Sequence, residues 1–196
     1  MISIEINKLK VLKEIPNPDN LGFGTIFTDH MFMMDYSKQK GWRNAKIVPY
    51  GPIAFDPSMM VLHYGQETFE GLKAYKGKGE EIYLFRPEYN AKRLNASNRR
   101  LCIPEIPVED FIHSIEALVK VDRRWIPNDP GTALYIRPFV FATDASLKVH
   151  PATTYKYMVI LSPVGAYYKE GLNPVKIHVE EEFVRARIFT GLSPSL

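Results

Sequence analysis

Five side chains have the chemistry to hold an anion beside an apolar group: Tyr64, Phe69, Tyr135, Arg137 and Tyr167. Each lies on or just beside a stretch with the β-branched and aromatic content of a strand. Tyr135 and Arg137 are two residues apart, so on a strand their side chains share one face. A guanidinium next to a phenol can clasp a carboxylate or phosphate through its planar fork. The same pair also suits a salt-bridged arginine among core tyrosines, since tyrosines are commonly core or rim residues. His30 and His63 have no second histidine, cysteine or carboxylate at ligand spacing. Asp29 adjoins His30 but points the other way on a strand, so no metal site is expected. A Ser/His/Asp order, a Walker loop and a dinucleotide fingerprint are all missing, and Glu180 to Glu182 reads as a solvated run.

The elements that must position these residues follow from periodicity and punctuation. Thr25–Tyr36, Lys46–Tyr50 and Met59–Tyr64 are strand candidates, the last two separated by the turn at Gly51-Pro52. Leu72–Tyr75 and Ile82–Arg86 flank Gly77-Lys78-Gly79, a hairpin signal. Pro87 opens a helix at its first turn, where a missing N–H costs nothing, and the helix should run to about Leu101. A second helix follows Pro107, with Val108, Phe111, Ile112, Ile115, Leu118 and Val121 recurring every three or four residues along one buried face. Asn128-Asp129-Pro130-Gly131 stops it. Ala133–Ala142, Tyr155–Ser162 and Val175–Val184 read as further strands, the middle one apolar enough to be central. Strands interrupted by two helices, without βαβα alternation, predict an α+β fold: a small domain with a mostly antiparallel sheet. The expected divisions are an irregular lead-in at 1–22, this domain at 23–170, and at 171–196 a linker with the truncated start of a second domain.

Composition narrows the classes of function. The chain has 196 residues, 45% hydrophobic and 24% charged, which is ordinary for a globular protein. Its formal charge of +3 is spread along the sequence, and the one tight run, Asn98-Arg99-Arg100, is too short for a nucleic-acid footprint. No apolar run approaches a membrane span, and the N-terminus has no continuous apolar signal region. A cytoplasmic protein is the expectation. The single cysteine, Cys102, excludes an intrachain disulfide. With apolar neighbours on both sides, it reads as a small buried hydrophobe.

Several long motifs stand in order and spacing: Phe23-Gly-Thr-Ile-Phe-Thr-Asp-His-Met31, Leu62-His-Tyr-Gly-Gln66 leading to Phe69-Glu-Gly71, Leu84-Phe-Arg-Pro87, Gly131-Thr-Ala-Leu-Tyr-Ile-Arg-Pro138 and Leu161-Ser-Pro-Val-Gly-Ala-Tyr167. Together they resemble the N-terminal part of the branched-chain amino-acid aminotransferases, fold type IV enzymes that use pyridoxal 5'-phosphate. The resemblance runs from residue 23 to Ala186. It implies an exchange of amino and oxo groups between Leu, Ile or Val and 2-oxoglutarate, with glutamate as product, in a homo-oligomer of at least two chains. Arg93 matches the arginine that grips the cofactor phosphate. Tyr64, Phe69, Tyr135 and Tyr167 match the aromatic wall around the substrate side chain. Arg137 matches the arginine that, with tyrosine, meets the second carboxylate of glutamate. Leu147 and Val149 match loop residues that reach into the partner subunit's site.

The same resemblance implies a lysine, joined covalently to the cofactor, near position 195, inside a Gly-rich stretch before Gly-Gly-Asn-Tyr. Here Arg185-Ala186 is followed by Arg-Ile-Phe-Thr-Gly-Leu-Ser-Pro-Ser-Leu196, and position 195 is Ser195. Lys73 and Lys76 flank the Phe-Glu-Gly turn and read as exposed hairpin residues. The expectation is a chain that, as written, is a truncated small domain without a catalytic lysine. It would be inactive alone, yet keep part of the phosphate and substrate pocket and a dimerisation surface.

Overall fold

A computed structural model describes residues 1–165, 174 and 176–181 of the chain. Eight strands form one sheet: β1 (Glu5–Ile6), β2 (His30–Ser37), β3 (Gly41–Pro49), β4 (Glu67–Phe69), β5 (Leu72–Lys76), β6 (Ile82–Leu84), β7 (Ala133–Ala142) and β8 (Thr154–Val164). Their order is β1-β3-β2-β8-β7-β5-β6, with β4 also paired to β7. Every pairing is antiparallel except β1 with β3. Three helices join it: α1 (Met60–Tyr64), α2 (Pro87–Arg100) and α3 (Val108–Val121). The expected α+β domain with a mostly antiparallel sheet is what the chain forms.

Alternation sorts each long strand onto two faces. Even-numbered residues of β7 (Leu134, Ile136, Val140, Ala142) and odd-numbered ones of β8 (Tyr155, Tyr157, Val159, Leu161) enter the main core with Leu94, Phe111, Ile115 and Leu118 of the helices. The other face is thinly covered. There Met31, Met33, Phe141 and Met158 make a smaller cluster with Met59. Tyr135, Arg137 and Ser162 share this second face, Tyr135 being directly opposite Ser162.

The two long helices form where the sequence places them, Pro87 at the first position of α2 and Pro107 just ahead of α3. Acidic residues (Glu88; Glu109 and Asp110) occupy the first turns, and Arg99 and Arg100 or Lys120 the last, as the helix dipole favours. Asn95 ties the connector down: its Nδ2 donates to the Ile106 carbonyl (2.7 Å) and its Oδ1 accepts from the Ile106 N–H (2.9 Å).

Four expectations are corrected. Met59–Tyr64 is not a strand; Met60–Tyr64 is a single helical turn closed by Gly65 in the left-handed region (φ 58°). A short apolar run does not distinguish the two, and the glycine decides. The strand expected from Thr25 starts at His30, where its regular pairing with β3 begins; before it, Thr28 and Asp29 make single backbone bonds, to Leu161 and Tyr50. Of the expected strand Val175–Val184, the described part, 176–181, is not in a strand, and its remaining residues lie outside the described ones. Cys102 is exposed rather than buried. It follows α2 with φ 57°, while the Ile103 N–H bonds to the Asn98 carbonyl (2.8 Å) and its own N–H to Arg99 (3.3 Å). Those two bonds make a Schellman cap, whose left-handed residue points outward.

Because that position favours glycine, Cys102→Gly should raise stability by about 1 kcal/mol. Urea unfolding of the two proteins checks it. In the parent chain, Cys102 should react fully with a thiol reagent without denaturant.

The lead-in is strapped to the sheet. Ile2 and Ile4 pack on the core, the Leu9 N–H donates to His30 Nε2 (2.9 Å), and the Lys13 N–H to Asp29 Oδ1 (2.8 Å). His30 is buried, with Nδ1 2.6 Å from Asp122 Oδ1, so the bond from Leu9 places its proton on Nδ1. Burial alone would raise the pKa of Asp29. Hydrogen bonds from Trp125, Lys13 and Arg124 outweigh it and hold the group below the ordinary 3.8. A lowered carboxyl stabilises the fold above pH ~4 and loses that contribution as pH falls through its native value. Asp29→Asn should therefore cost most near neutrality, and the gap to the parent should shrink in unfolding curves below pH ~4.

Candidate functional site

The site is organised by three consecutive residues, Phe69, Glu70 and Gly71. Strands β4 and β5 lie along the same edge of β7 in one continuous register, Phe69 opposite Phe139 and Leu72 opposite Ile136. They are two strands because Pro138 stands at the break. The Glu70 N–H donates to the Pro138 carbonyl (2.8 Å), but proline has no N–H to return the bond. Alternation then sends Phe69 and Gly71 to the open face and Glu70 to the helix side. Among the described residues β4 pairs with β7 alone, so the two faces meet round this edge.

On the helix side Glu70 is 4% exposed and meets Arg93 of α2 fork to fork, Nε to Oε1 and Nη2 to Oε2, both at 2.6 Å. Asn90, one turn earlier on α2, adds Nδ2 to Oε2 at 2.9 Å. The hydrogen bond to Glu70 pushes the Arg93 pKa up, so its charge is permanent. The Arg93 side chain is 43% exposed, and its Nη1 makes no hydrogen bond among the described residues. It borders an open groove of about 510 Å³ lined by Phe85, Arg86, Tyr89, Asn90 and Lys92. The Arg86 guanidinium lies 3.8 Å from the centre of the Tyr89 ring.

On the open face, which Tyr135 and Arg137 share as their two-residue spacing predicts, Arg137 Nη2 donates to Tyr135 Oη (2.8 Å). The guanidinium also stacks 4.4 Å from the Phe69 ring centre, and Phe23 packs edge-on to Tyr135 at 5.1 Å. Gly71 makes room for this: a Cβ there would sit 2.3 Å from Tyr135 Oη. Arg137 Nε and Ser162 Oγ are both buried and, among the described residues, have no hydrogen-bond partner. Lys73, read from the sequence as exposed, is half-buried and faces Tyr135 across the strand pair.

The remaining expected site residues form a separate group. Tyr64, at the end of α1, donates its hydroxyl to the Leu147 carbonyl and so holds the 143–153 loop. Asp144 knots that loop, accepting from the Thr153 N–H (3.0 Å) and the Thr154 N–H (2.7 Å). Leu147 and Val149 project into solvent, 65% and 83% exposed. Tyr167, Arg185, Ala186 and Ser195 lie outside the described residues. No metal-holding group of His, Cys, Asp or Glu occurs among the described residues. Sequence reading missed Glu70 as the partner of Arg93; the signal was Asn90 and Arg93 one turn apart on a helix that begins shortly after the Phe-Glu-Gly motif.

No family model matches the chain. Solved structures match its fold. The T.th. branched-chain amino acid aminotransferase solved with pyridoxamine 5'-phosphate aligns at 26% identity and TM-score 0.56, over 73% of this chain and 42% of that one. The same enzyme complexed with N-(5'-phosphopyridoxyl)-L-glutamate gives 25% and 0.55, over 71% and 41%. The domain thus has the fold of the N-terminal part of the fold type IV aminotransferases. Sequence goes further. The chain is 55% identical to branched-chain-amino-acid aminotransferase 2 of Bacillus subtilis over 185 residues, 94% of this chain and 50% of the relative. It is 54% identical over 168 residues to the enzyme of Mycolicibacterium smegmatis, 85% of this chain and 46% of that one. Over nearly all of its length this chain is therefore a homologue of the branched-chain-amino-acid aminotransferases. It spans about half the length of the curated relatives it matches.

Proposed function

We propose that this chain is the part of a branched-chain-amino-acid transaminase that grips the cofactor phosphate and frames the substrate side chain. The reaction would exchange the amino group of Leu, Ile or Val with the oxo group of 2-oxoglutarate, in the cytoplasm and in a homo-oligomer. One observation carries the reading: Phe69, Glu70 and Gly71 join Arg93 to the Tyr135–Arg137 pair round a single strand edge.

Arg93 fits the phosphate of pyridoxal 5'-phosphate, because its charge is permanent and Nη1 has no partner among the described residues. Arg86 and Lys92 add positive charge on the same groove. When bound, the cofactor supplies the electron sink for bond-breaking at the amino-acid Cα. Phe69 and Tyr135, with Tyr64 and Tyr167 as further parts of the aromatic wall, would bury an aliphatic side chain. Arg137, backed by the Tyr135 hydroxyl, would meet the second carboxylate of glutamate. Leu147 and Val149, held out by Tyr64 and Asp144, would serve the neighbouring subunit's site. The division into a lead-in at 1–22, a small domain at 23–170 and a linking segment from 171 belongs to the same reading.

The chain by itself should bind pyridoxal phosphate without transaminating, since no described lysine has an assigned place at the cofactor. Saturable fluorescence quenching by pyridoxal phosphate is expected, weakened about tenfold or more in Arg93→Lys, which keeps the charge and loses the fork. Intact mass after borohydride should show no single stoichiometric adduct. A stoichiometric adduct mapped to Lys73, or any turnover of leucine with 2-oxoglutarate, would overturn the chain's inactivity alone. Failure to bind would overturn the phosphate reading.

A further inference from the structure

We infer that Glu70 is a positioning residue that decides which edge of the Arg93 guanidinium an anion can use. The inference rests on Arg93 being the phosphate contact. A guanidinium has five N–H groups and two edges with paired donors, Nε–Nη2 and Nη1–Nη2, each able to meet a carboxylate or phosphate in a fork. In this chain the Nε–Nη2 edge is taken. Glu70 accepts from Nε and Nη2 at 2.6 Å each, and it is not free to leave. Its carboxylate is buried, and Oε2 also accepts from Asn90 Nδ2 at 2.9 Å. Its backbone is fixed by the bond from its N–H to Pro138.

An incoming phosphate therefore meets the opposite edge, formed by Nη1 and the remaining N–H of Nη2. That edge is directed by Glu70, since the fork leaves the planar group one orientation. A lysine could not be steered in this way, because its ammonium has no plane. A free arginine on the same helix would present either edge and lose rotamer freedom on binding. Glu70 removes that freedom beforehand, and so trades some electrostatic attraction for fixed geometry. The same residue sits between Phe69, which stacks on Arg137, and Gly71, which makes room for Tyr135. The phosphate end and the side-chain end of the site are thus held in register by one backbone segment.

The test uses the full chain with 15N-labelled arginine, inorganic phosphate and pyridoxal phosphate as probes, and Glu70→Asp as the variant. Aspartate keeps the charge and withdraws the carboxylate by one methylene, so it separates position from charge. In the parent, the Arg93 Hε resonance should be protected from exchange and stay still during titration while the Nη signals move. In Glu70→Asp, Hε protection should be lost and affinity for both probes should fall about tenfold. Unchanged affinity in a variant that melts cooperatively would overturn the inference. So would a shift of Hε on titrating the parent, which would mean that phosphate displaces Glu70. If Glu70→Asp does not fold, the Hε behaviour of the parent decides alone. If neither anion moves any Arg93 signal in the parent, the phosphate reading itself has failed.

Discussion

Arg93→Ala should destabilise the domain by about 2–3 kcal/mol, somewhat less than the roughly 3–5 expected when one partner of a fully buried pair is removed. The cost comes from what is left behind. Glu70 is 4% exposed and would keep only Asn90 and the long contact from the Gly71 N–H (3.3 Å). The figure lies below the fully buried case because the Arg93 side chain is 43% exposed, and water could enter where it stood. The companion experiment is Arg93→Met with Glu70→Met. Replacing both charges should recover most of the loss, because the penalty belongs to the lone carboxylate rather than to the missing attraction. Urea unfolding of the parent, the single and the double variant measures both values. A double variant no more stable than Arg93→Ala would mean that the lone Glu70 carboxylate is not the source of the loss.

Gly71→Ala should damage the site more than the fold. No positive φ is needed at this glycine, so the backbone accepts alanine. The new methyl would lie 2.3 Å from Tyr135 Oη and 3.1 Å from Cζ, closer than atoms can approach. Tyr135 is the part that must move, and Phe23 packs edge-on against its ring. The overpacking should cost about 1–2 kcal/mol. The swing of the ring should break the hydrogen bond from Arg137, leaving a cation whose Nε already has no partner among the described residues. Thermal unfolding gives the first quantity. Near-ultraviolet circular dichroism from tyrosine, or the Arg137 side-chain NMR signals, gives the second. A variant with parental tyrosine signals and parental stability would show that the ring has room the structure denies it.

The parts of this fold that sequence exposed are those whose cause is local. Pro87 and Pro107 open the helices they predict, β7 runs over the expected ten residues, and the two-residue spacing of Tyr135 and Arg137 becomes a hydrogen bond. The parts it hid depend on distant partners or on backbone sign. His30 finds Asp122 from 92 residues away, a pairing no spacing rule reaches. Glu70 acquires its role only when α2, some twenty residues later, brings Arg93 and Asn90 to its carboxylate. Met59–Tyr64 misled because five apolar-rich residues suit a strand or a turn of helix, and only the left-handed Gly65 closes the choice. Cys102 was misplaced for a related reason: apolar neighbours suggest burial, but a left-handed cap turns the side chain outward.

The strand order has a consequence for how the molecule is made. Strand β8 is the last of the described strands in the chain, yet it lies between β2 and β7. Until residues 154–164 leave the ribosome, β1–β3 and β4–β7 are two half-sheets with nothing between them. Each then presents a long unpaired edge, β2 on one side and β7 on the other, the kind of surface that recruits strands from other chains. Closing the sheet pairs Phe32 with Val159, over a hundred residues away in sequence, and Phe139 with the nearer Met158, so the long-range contacts form late and together with the local ones. Among the described residues the finished sheet ends instead in β1 and β6, two and three residues long. The hazard of aggregation is therefore concentrated in the interval of synthesis before β8 arrives, and the arrival of that strand ends it.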